Sequence, residues 1–242
     1  HCDDSGSLVP ATALIGAMLA TNSALGKVVF SEPLRLGRFV QINSLGNRIV
    51  VQSSADELEW VVNASASLSV AFDIPESMKS LMHKFNFQNL EWSSHDVEQL
   101  YMSLSAGGFQ YGPSFKRVQQ VLSRLDGLVI ARIDGELIEK GDSVYYEHAA
   151  VLDACTHIAS VLDPRASSAF PSSVKSVAQF PVSAVRDPMQ SIFKSAHSSD
   201  WFALMRISPL HVGPEFSEKV CVDLLAVGTQ ETIWFEELQL TP

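Results

Sequence analysis

Apolar residues concentrate in two long segments of the chain, and each is accompanied by shorter segments rich in valine, isoleucine and phenylalanine. The first, residues 10–25, is apolar on nearly every helical face, with Pro10 in its first turn and Gly26 just beyond its end. A helix that is apolar on every face must be covered on every side, and a sheet wrapped around it does this. The pattern therefore predicts a buried helix enclosed by β-sheet.

The segments after this helix predict antiparallel strands, because runs of β-branched and aromatic residues are separated by Gly, Asn, Ser and Asp. The predicted strands of the first half are residues 27–36, 38–43, 48–53 and 57–71. Residues 44–47, Ser-Leu-Gly-Asn, predict a hairpin turn. In the last strand, the alternation of Leu58, Trp60, Val62 and Ala64 predicts one buried face.

The second half repeats this organisation after a weakly patterned stretch, residues 72–94, that we interpret as a linker. Residues 95–105 then predict a helix with Ser94 as its N-cap. A second apolar helix is predicted for residues 148–162, ended by Asp163-Pro164. Further strands are predicted for residues 116–125, 128–134, 174–180, 191–197, 201–207, 219–227 and 232–240.

The overall composition excludes two classes of partner. The 242 residues are 46% hydrophobic and 18% charged, which is typical of a globular protein with one large domain or two small ones. The net charge is −10 and no basic block is present, which argues against nucleic-acid binding. No apolar run approaches the ~20 residues that span a bilayer, and no signal-peptide pattern is present, so no membrane association is predicted.

Cysteine usage argues against a metal centre or a disulfide framework. Cys2, Cys155 and Cys221 are far apart and form no CxxC motif, which favours a reducing, cytoplasmic location. Residues 1–4 include metal-ligating types, but adjacent residues make a poor tetrahedral set, so no metal is predicted. Nucleotide-binding and hydrolase motifs are absent, and no cofactor is expected. Because the chain opens on a residue capable of catalysis, we interpret it as a domain of a longer protein.

Three short motifs occur in order along the chain. Residues 1–10, HCDDSGSLVP, resemble the pattern HxxxGxxxxP, with matches at His1 and Pro10 and with Ser5 at the glycine position. Residues 108–115, GFQYGPSF, fit GxxYGPxF at every fixed position. Residues 153–157, DACTH, fit DxxxQ/H and lie on the second apolar helix. Together these motifs resemble those of dehydratase domains of modular polyketide synthases.

This resemblance implies an α+β double hot-dog fold, in which two antiparallel sheets each wrap around a central helix and pack side by side. We place the first half at residues 1–88, a linker at 89–98 and the second half at 99–242. The resemblance also bears on an ambiguous segment, whose apolar residues are spaced as on a helix face: Val118, Val121, Leu122 and Leu125. It favours a strand over residues 116–125, and we predict one there.

The resemblance further implies a reaction. Such domains remove water from a β-hydroxyacyl thioester on an acyl carrier protein, and a histidine from the first half meets an aspartate from the second across a tunnel. His1 is predicted to be the general base, since a neutral imidazole is available near working pH. Asp153 is predicted to be the general acid, because its apolar helix disfavours the charged carboxylate.

Other residues of the second and third motifs are predicted to bind substrate. Tyr111 is expected to hydrogen-bond near the leaving hydroxyl or to hold its own strand, and Gly112-Pro113 gives a fixed bend. His157 follows Asp153 by one helical turn and lies on the same face. It is therefore expected to hydrogen-bond the acid or to position the departing water.

The first motif is predicted to contribute to substrate binding through its backbone. Amide groups at the start of the helix after Pro10 suit the thioester oxygen as negative charge develops there, and Ser5 lies on the approach to them. Ser5 is also the clearest departure from the family pattern. If that position needs positive φ, serine strains or narrows the site, whereas if only the N–H is needed nothing is lost.

The expected partners are a carrier protein bearing a phosphopantetheine-linked substrate, neighbouring synthase domains and a second copy in a homodimer. Because carrier proteins are usually acidic, a local basic patch is expected, with Lys116, Arg117 and Arg124 as candidates. Two alternatives within the fold are a double-bond isomerase and a ring-forming cyclase, although the presence of Asp153 favours dehydration. A catalytically silent scaffolding copy is a third alternative, for which Ser5 is the main argument.

Overall fold

The computed structural model describes residues 8–20, 24–69, 76–84, 91–136, 144–181, 186–193, 195–208, 219–229 and 231–241. The helices are α1 (Ala11–Leu19), α2 (Glu76–Lys84), α3 (Val97–Ala106), α4 (Val144–His157), α5 (Ala159–Leu162) and α6 (Arg186–Ile192). The strands of the first half are β1 (Ala24–Phe30), β2 (Phe39–Leu45), β3 (Arg48–Ser54) and β4 (Val61–Leu68). The predicted linker 89–98 contains β5 (Ser93–His95), and the strands of the second half are β6 (Val118–Ser123), β7 (Leu128–Ile133), β8 (Phe170–Pro181), β9 (Trp201–Ile207), β10 (Val220–Val227) and β11 (Glu231–Thr241).

These strands form one antiparallel sheet in the order β2-β3-β4-β1-β8-β11-β10-β9-β7-β6-β5. The strands of the first half are contiguous, and so are those of the second. Strands β1 and β8 join the two halves, with Ala24 opposite Ala178 and Val29 opposite Ser173. The two sheets predicted for the two halves are therefore joined edge to edge into one continuous sheet.

Helices α1 and α4 lie in the core and contact each other. The side chains of Ile15 and Met18 on α1 and of Leu152 and Cys155 on α4 are almost fully buried. Burial of such side chains is the main stabilising term of the fold, at about 25 cal/mol per Å² of apolar surface. Each half thus has a central apolar helix covered by sheet, as the hydrophobic pattern predicts.

Most predicted elements are confirmed, including the strand at β6, where periodicity alone favoured a helix. The hairpin at residues 44–47 is also confirmed, since Leu45 pairs with Arg48 and Gly46 has a φ of +60°. The first helix was predicted too long, because α1 ends at Leu19 and Ala24 already begins a strand. A buried strand is as apolar as a buried helix, so hydrophobicity did not mark this boundary.

Three local predictions are wrong. The alternation from Leu58 to Ala64 does not form one buried face. Leu58 is exposed and lies outside the strand, and a register shift in the pairing of β4 with β3, at Gln52, interrupts the alternation of buried and exposed residues. Helix α3 is capped by Asp96, whose carboxylate accepts hydrogen bonds from two backbone amides, whereas Ser94 lies in β5. The strand predicted for residues 191–197 is not found in the described part of that segment, since α6 extends to Ile192.

The stretch 72–94 is not simply a linker, because it includes α2. The side chains of Met78 and Leu81 are buried in a second apolar cluster with Phe202 and Trp234. This cluster lies apart from the one that contains α1 and α4. The segment therefore contributes to the core.

Gly107 ends α3 where the chain crosses the 3₁₀ turn Pro164–Ser168. A Cβ at this position would lie 1.9 Å from the carbonyl oxygen of Ser167. We expect Gly107→Ala to lower the free energy of unfolding by about 1–3 kcal/mol, because the two backbones must separate. Urea denaturation measures this, with Gly16→Ala as the control.

A Cβ at Gly16 would meet nothing within 4 Å, so alanine there is expected to stabilise α1. Equal effects of the two substitutions would contradict this account of the contact between α3 and the 3₁₀ turn.

Candidate active site

Asp153 is a buried carboxyl on a central helix. It lies on α4 among apolar neighbours, and 9% of the residue is exposed. A carboxyl group in such surroundings is costly unless its oxygens have hydrogen-bonding partners. Its partners are therefore the first guide to its function.

One residue from each half contacts a different oxygen of the Asp153 carboxyl. Oδ1 lies 3.4 Å from the hydroxyl oxygen of Thr12 on α1. Oδ2 lies 3.2 Å from Nε2 of His157, one turn further along α4. The predicted contact between His157 and the acid is confirmed, and the carboxyl is held where the two halves meet.

The second motif lies beside His157. The rings of Tyr111 and His157 have centroids 4.1 Å apart, and the ring of Phe109 stacks on Tyr111 at 5.8 Å. Phe170, half exposed, contacts Phe109 with centroids 4.7 Å apart. A row of aromatic rings therefore leads from the surface to Asp153.

Burial raises the pKa of Tyr111 far above its ordinary value, and the nearby Asp153 charge adds to this effect. The phenol therefore stays protonated at neutral pH and can act as a hydrogen-bond donor.

Gly112 lies just before the 3₁₀ turn Pro113–Phe115, with Pro113 as its first residue, which gives the predicted bend. The chain reverses beside the site at this point.

Tyr101, which sequence reasoning missed, holds the strand after the second motif. Its hydroxyl oxygen accepts a hydrogen bond of 3.1 Å from the backbone amide of Val118 at the start of β6. Its ring also lies edge-on to His157, with centroids 5.7 Å apart. Burial raises the pKa of Tyr101 to about 12, so it too remains neutral.

The end of the first motif leads directly to the acid. The backbone amide of Val9 donates to the carbonyl of Leu34 at 2.8 Å, which fixes the chain before Pro10. Pro10 immediately precedes α1, and Thr12 follows two residues later. His1 and Ser5 lie outside the described residues, so their roles stay predictions.

Cys155 is buried two residues after Asp153, and desolvation raises the pKa of its thiol well above the ordinary value. The protonated thiol is a poor nucleophile, which argues against covalent catalysis at this position. Within the described ranges, no group of three or more His, Cys, Asp or Glu side chains is arranged to hold a metal ion.

The predicted basic patch is wrong in part. Arg117 is buried, and its guanidinium donates to the carbonyl oxygens of Ser114, Asp134 and Glu136. Arg124 forms an ion pair with Asp126, and Lys116 lies over the ring of Tyr101. Arg117 therefore links the second motif to the segment after β7 and does not offer a surface charge.

A family model described as the polyketide synthase dehydratase N-terminal domain matches residues 93–200, which include the second and third motifs. This segment is therefore similar to polyketide synthase dehydratase domains. The match contains Asp153, His157 and Tyr111, the residues that the structure brings together.

Solved dehydratase domains share the fold of this chain. An inactive histidine-to-phenylalanine variant of CurJ dehydratase is 19% identical, with a TM-score of 0.67 over 97% of this chain and 82% of that one. The PpsC domain of Mycobacterium tuberculosis, in complex with C12:1-CoA, is 13% identical, with a TM-score of 0.67 over 97% and 84%. The RzxB domain of Pseudomonas fluorescens is 17% identical, with a TM-score of 0.63 over 97% and 86%. The predicted double hot-dog fold is confirmed.

A curated relative of this chain is described as the chalcone synthase cfoA of Aspergillus candidus. It is 27% identical over 107 residues, which are 44% of this chain and 4% of the relative. The matched segment thus spans a very small part of that protein. Within the described ranges, no helix is long and apolar enough to cross a membrane.

Proposed function

We propose that this domain eliminates water from a β-hydroxyacyl thioester carried on an acyl carrier protein and forms an α,β-enoyl thioester. The observation that carries the proposal is the buried Asp153 carboxyl, held by Thr12 from one half and by His157 from the other. A carboxyl at this position is the group that the reaction needs as proton donor to the departing hydroxyl. It lies beside the aromatic row, which suits an acyl chain.

In the proposed reaction, the imidazole of His1 takes a proton from the carbon next to the thioester carbonyl. The electrons of that C–H bond form the new double bond as the C–O bond at the β-carbon breaks. The departing oxygen takes the proton of Asp153 and leaves as water. Transfer of the extra proton from the imidazolium to the carboxylate, directly or through solvent, restores the starting state.

The solved relatives support a catalytic histidine and an acyl thioester substrate by analogy. The CurJ variant described as inactive differs from its parent by replacement of a histidine with phenylalanine, which is consistent with a catalytic histidine. PpsC is described in complex with C12:1-CoA, an acyl thioester. Since His1 is the histidine of the first motif, we assign the base to it, while His157 is assigned to positioning the acid.

Mass analysis of the products from a 3-hydroxyacyl chain on a carrier protein tests the proposal. We expect loss of one water from the chain, and hydration of the enoyl product when the reaction is run in reverse. A product of unchanged mass with a migrated double bond would indicate an isomerase, and a ring closed by a second hydroxyl would indicate a cyclase. If neither the 3-hydroxyacyl chain nor the enoyl chain is converted, a catalytically silent scaffolding domain would be the remaining alternative.

The same assay examines carrier recognition when the substrate is presented on free pantetheine as well as on the carrier. If the carrier contributes binding, we expect a higher kcat/KM for the carrier-bound chain, with a difference that shrinks as salt is raised. Equal values at low salt would contradict an electrostatic contribution from the carrier.

A further inference from the structure

Thr12 is a buried polar residue on α1 to which the three motifs assign no role. Its hydroxyl oxygen lies 3.2 Å from the carbonyl oxygen of Ala149 and 3.4 Å from Oδ1 of Asp153. A hydroxyl group has one hydrogen and two lone pairs, so it can donate to only one of these oxygens at a time. The direction of each hydrogen bond therefore depends on whether Asp153 carries a proton.

A protonated Asp153 gives an arrangement in which every hydrogen has an acceptor. The carboxyl O–H donates to the Thr12 hydroxyl, and the hydroxyl donates to Ala149, its nearer acceptor. The ionised carboxylate has no hydrogen to donate. To bond it, Thr12 would have to turn its hydrogen away from Ala149 and lose that contact.

The second oxygen of the carboxyl fits the same direction. In the tautomer of His157 that carries hydrogen on Nε2, the ring donates to Oδ2 of Asp153 over 3.2 Å. Oδ2 is then the unprotonated oxygen, so the proton of the acid is on Oδ1, beside Thr12. A chain of hydrogen bonds runs from His157 through Asp153 and Thr12 to Ala149.

We infer that Thr12 is a positioning residue that accepts the carboxyl hydrogen of Asp153 and so keeps the acid's proton on Oδ1. Because α1 belongs to the first half and α4 to the second, neither half forms this arrangement alone. The catalytic meaning of the inference rests on the proposed function, whereas the hydrogen bond itself does not require activity.

Among the residues that the structure describes, the other titratable groups around the carboxyl are His157 on α4, Tyr101 on α3, Tyr111 in the second motif and Cys155. Burial raises the pKa of both tyrosines and of the cysteine, so these three stay neutral over the working range. The titration below is repeated in a His157→Gln background, which removes the imidazole that contacts Oδ2.

The titration of Asp153 by ¹³C NMR tests the inference without an activity measurement. In protein labelled at the aspartate carboxyls, the Asp153 signal is identified by its absence from Asp153→Asn. Thr12→Val and Thr12→Ala are each expected to lower the pH of half-protonation by about one unit, a roughly ten-fold loss of proton affinity. Thr12→Ser retains the hydroxyl and is expected to match the wild type.

Thr232→Val is the matched control, since it removes another buried threonine hydroxyl, on β11. It is expected to leave the Asp153 titration unchanged. An unchanged midpoint in Thr12→Val and Thr12→Ala would overturn the inference. A raised midpoint would overturn it too, because Thr12 would then donate to the ionised carboxylate.

Steady-state kinetics separates this inference from the proposed function. With an active wild type, Thr12→Val is expected to lower kcat about ten-fold with KM changed less than about two-fold, and Thr12→Ser is expected to restore kcat. An inactive wild type whose Asp153 titration still shifts in Thr12→Val would refute the proposed function and support the contact. An active wild type without that shift would refute the role of Thr12 alone.

Discussion

Replacing Asp153 by Asn is expected to lower the dehydration rate by about 10²- to 10⁴-fold while the domain remains folded. The amide has nearly the volume of the carboxyl and can still bond with Thr12 and His157, but it cannot protonate the departing hydroxide. Substrate binding should therefore change far less than kcat. Steady-state kinetics with a carrier-bound 3-hydroxyacyl chain measures both quantities.

Asp163→Asn is the control for this substitution, because Asp163 follows the same helical region and its carboxylate pairs with Arg165 near the surface. Its kcat is expected to stay within about two-fold of the wild type. An Asp153→Asn variant with wild-type activity would exclude Asp153 as the acid. An Asp153→Asn variant with raised KM and unchanged kcat would indicate that Asp153 contributes to substrate binding only.

The second large effect concerns stability and lies away from the candidate active site. Arg206 on β9 and Asp223 on β10 form a buried ion pair, with Nη2 and Oδ2 3.0 Å apart. Arg206 also donates to the carbonyl of Ser77 on α2, and Asp223 accepts from the amide of Glu237. Arg206→Met is expected to lower the free energy of unfolding by about 3–5 kcal/mol, because it leaves a buried carboxylate without its cation.

The loss in Arg206→Met should depend on pH in a defined direction. Burial raises the pKa of Asp223 even beside Arg206, so the folded state takes up this proton more readily than the unfolded state. Stability from this group therefore falls as pH rises from the unfolded pKa of about 3.9 through the folded value. Removal of Arg206 extends the pH range over which this stability falls to higher pH. The free energy of unfolding of Arg206→Met should therefore recover as the pH is lowered.

Urea denaturation of Arg206→Met at several pH values measures this effect, with the double variant Arg206→Met, Asp223→Leu as the control. The double variant removes both charges and is expected to regain most of the lost stability at neutral pH. A double variant no more stable than the single one would show that lost contacts, not an unpaired charge, account for the effect.

Local sequence patterns predicted those parts of the fold that depend on neighbours along the chain. The pairing of Asp153 with His157 follows from one helical turn, and the bend at Gly112-Pro113 follows from the proline. The two central helices were found because each is too apolar to face water. Their exact ends were not, since the boundary between α1 and β1 lies within a continuously apolar segment.

Long-range packing accounts for the features that the sequence did not predict. Thr12 and Asp153 are 141 positions apart in the sequence, and no local sequence pattern predicts a contact between them. The role of Tyr101 was missed for the same reason, because its hydroxyl contacts the amide of Val118 only in the folded state. The segment 191–197 was misassigned although Met189 and Phe193, four residues apart, pack together in the core at α6. Apolar residues four positions apart are typical of a helix, and the strand prediction overlooked this spacing.

The most direct test of the proposed chemistry is a crystal structure of the domain with a pantetheine-linked 3-hydroxyacyl analogue bound. The account predicts one enclosed site for the ligand, with its hydroxyl oxygen about 2.6–3.2 Å from an Asp153 oxygen and its α-carbon facing the imidazole of His1. A structure in which His1 and Asp153 open onto separate surfaces, with the acyl chain reaching only one of them, would contradict it.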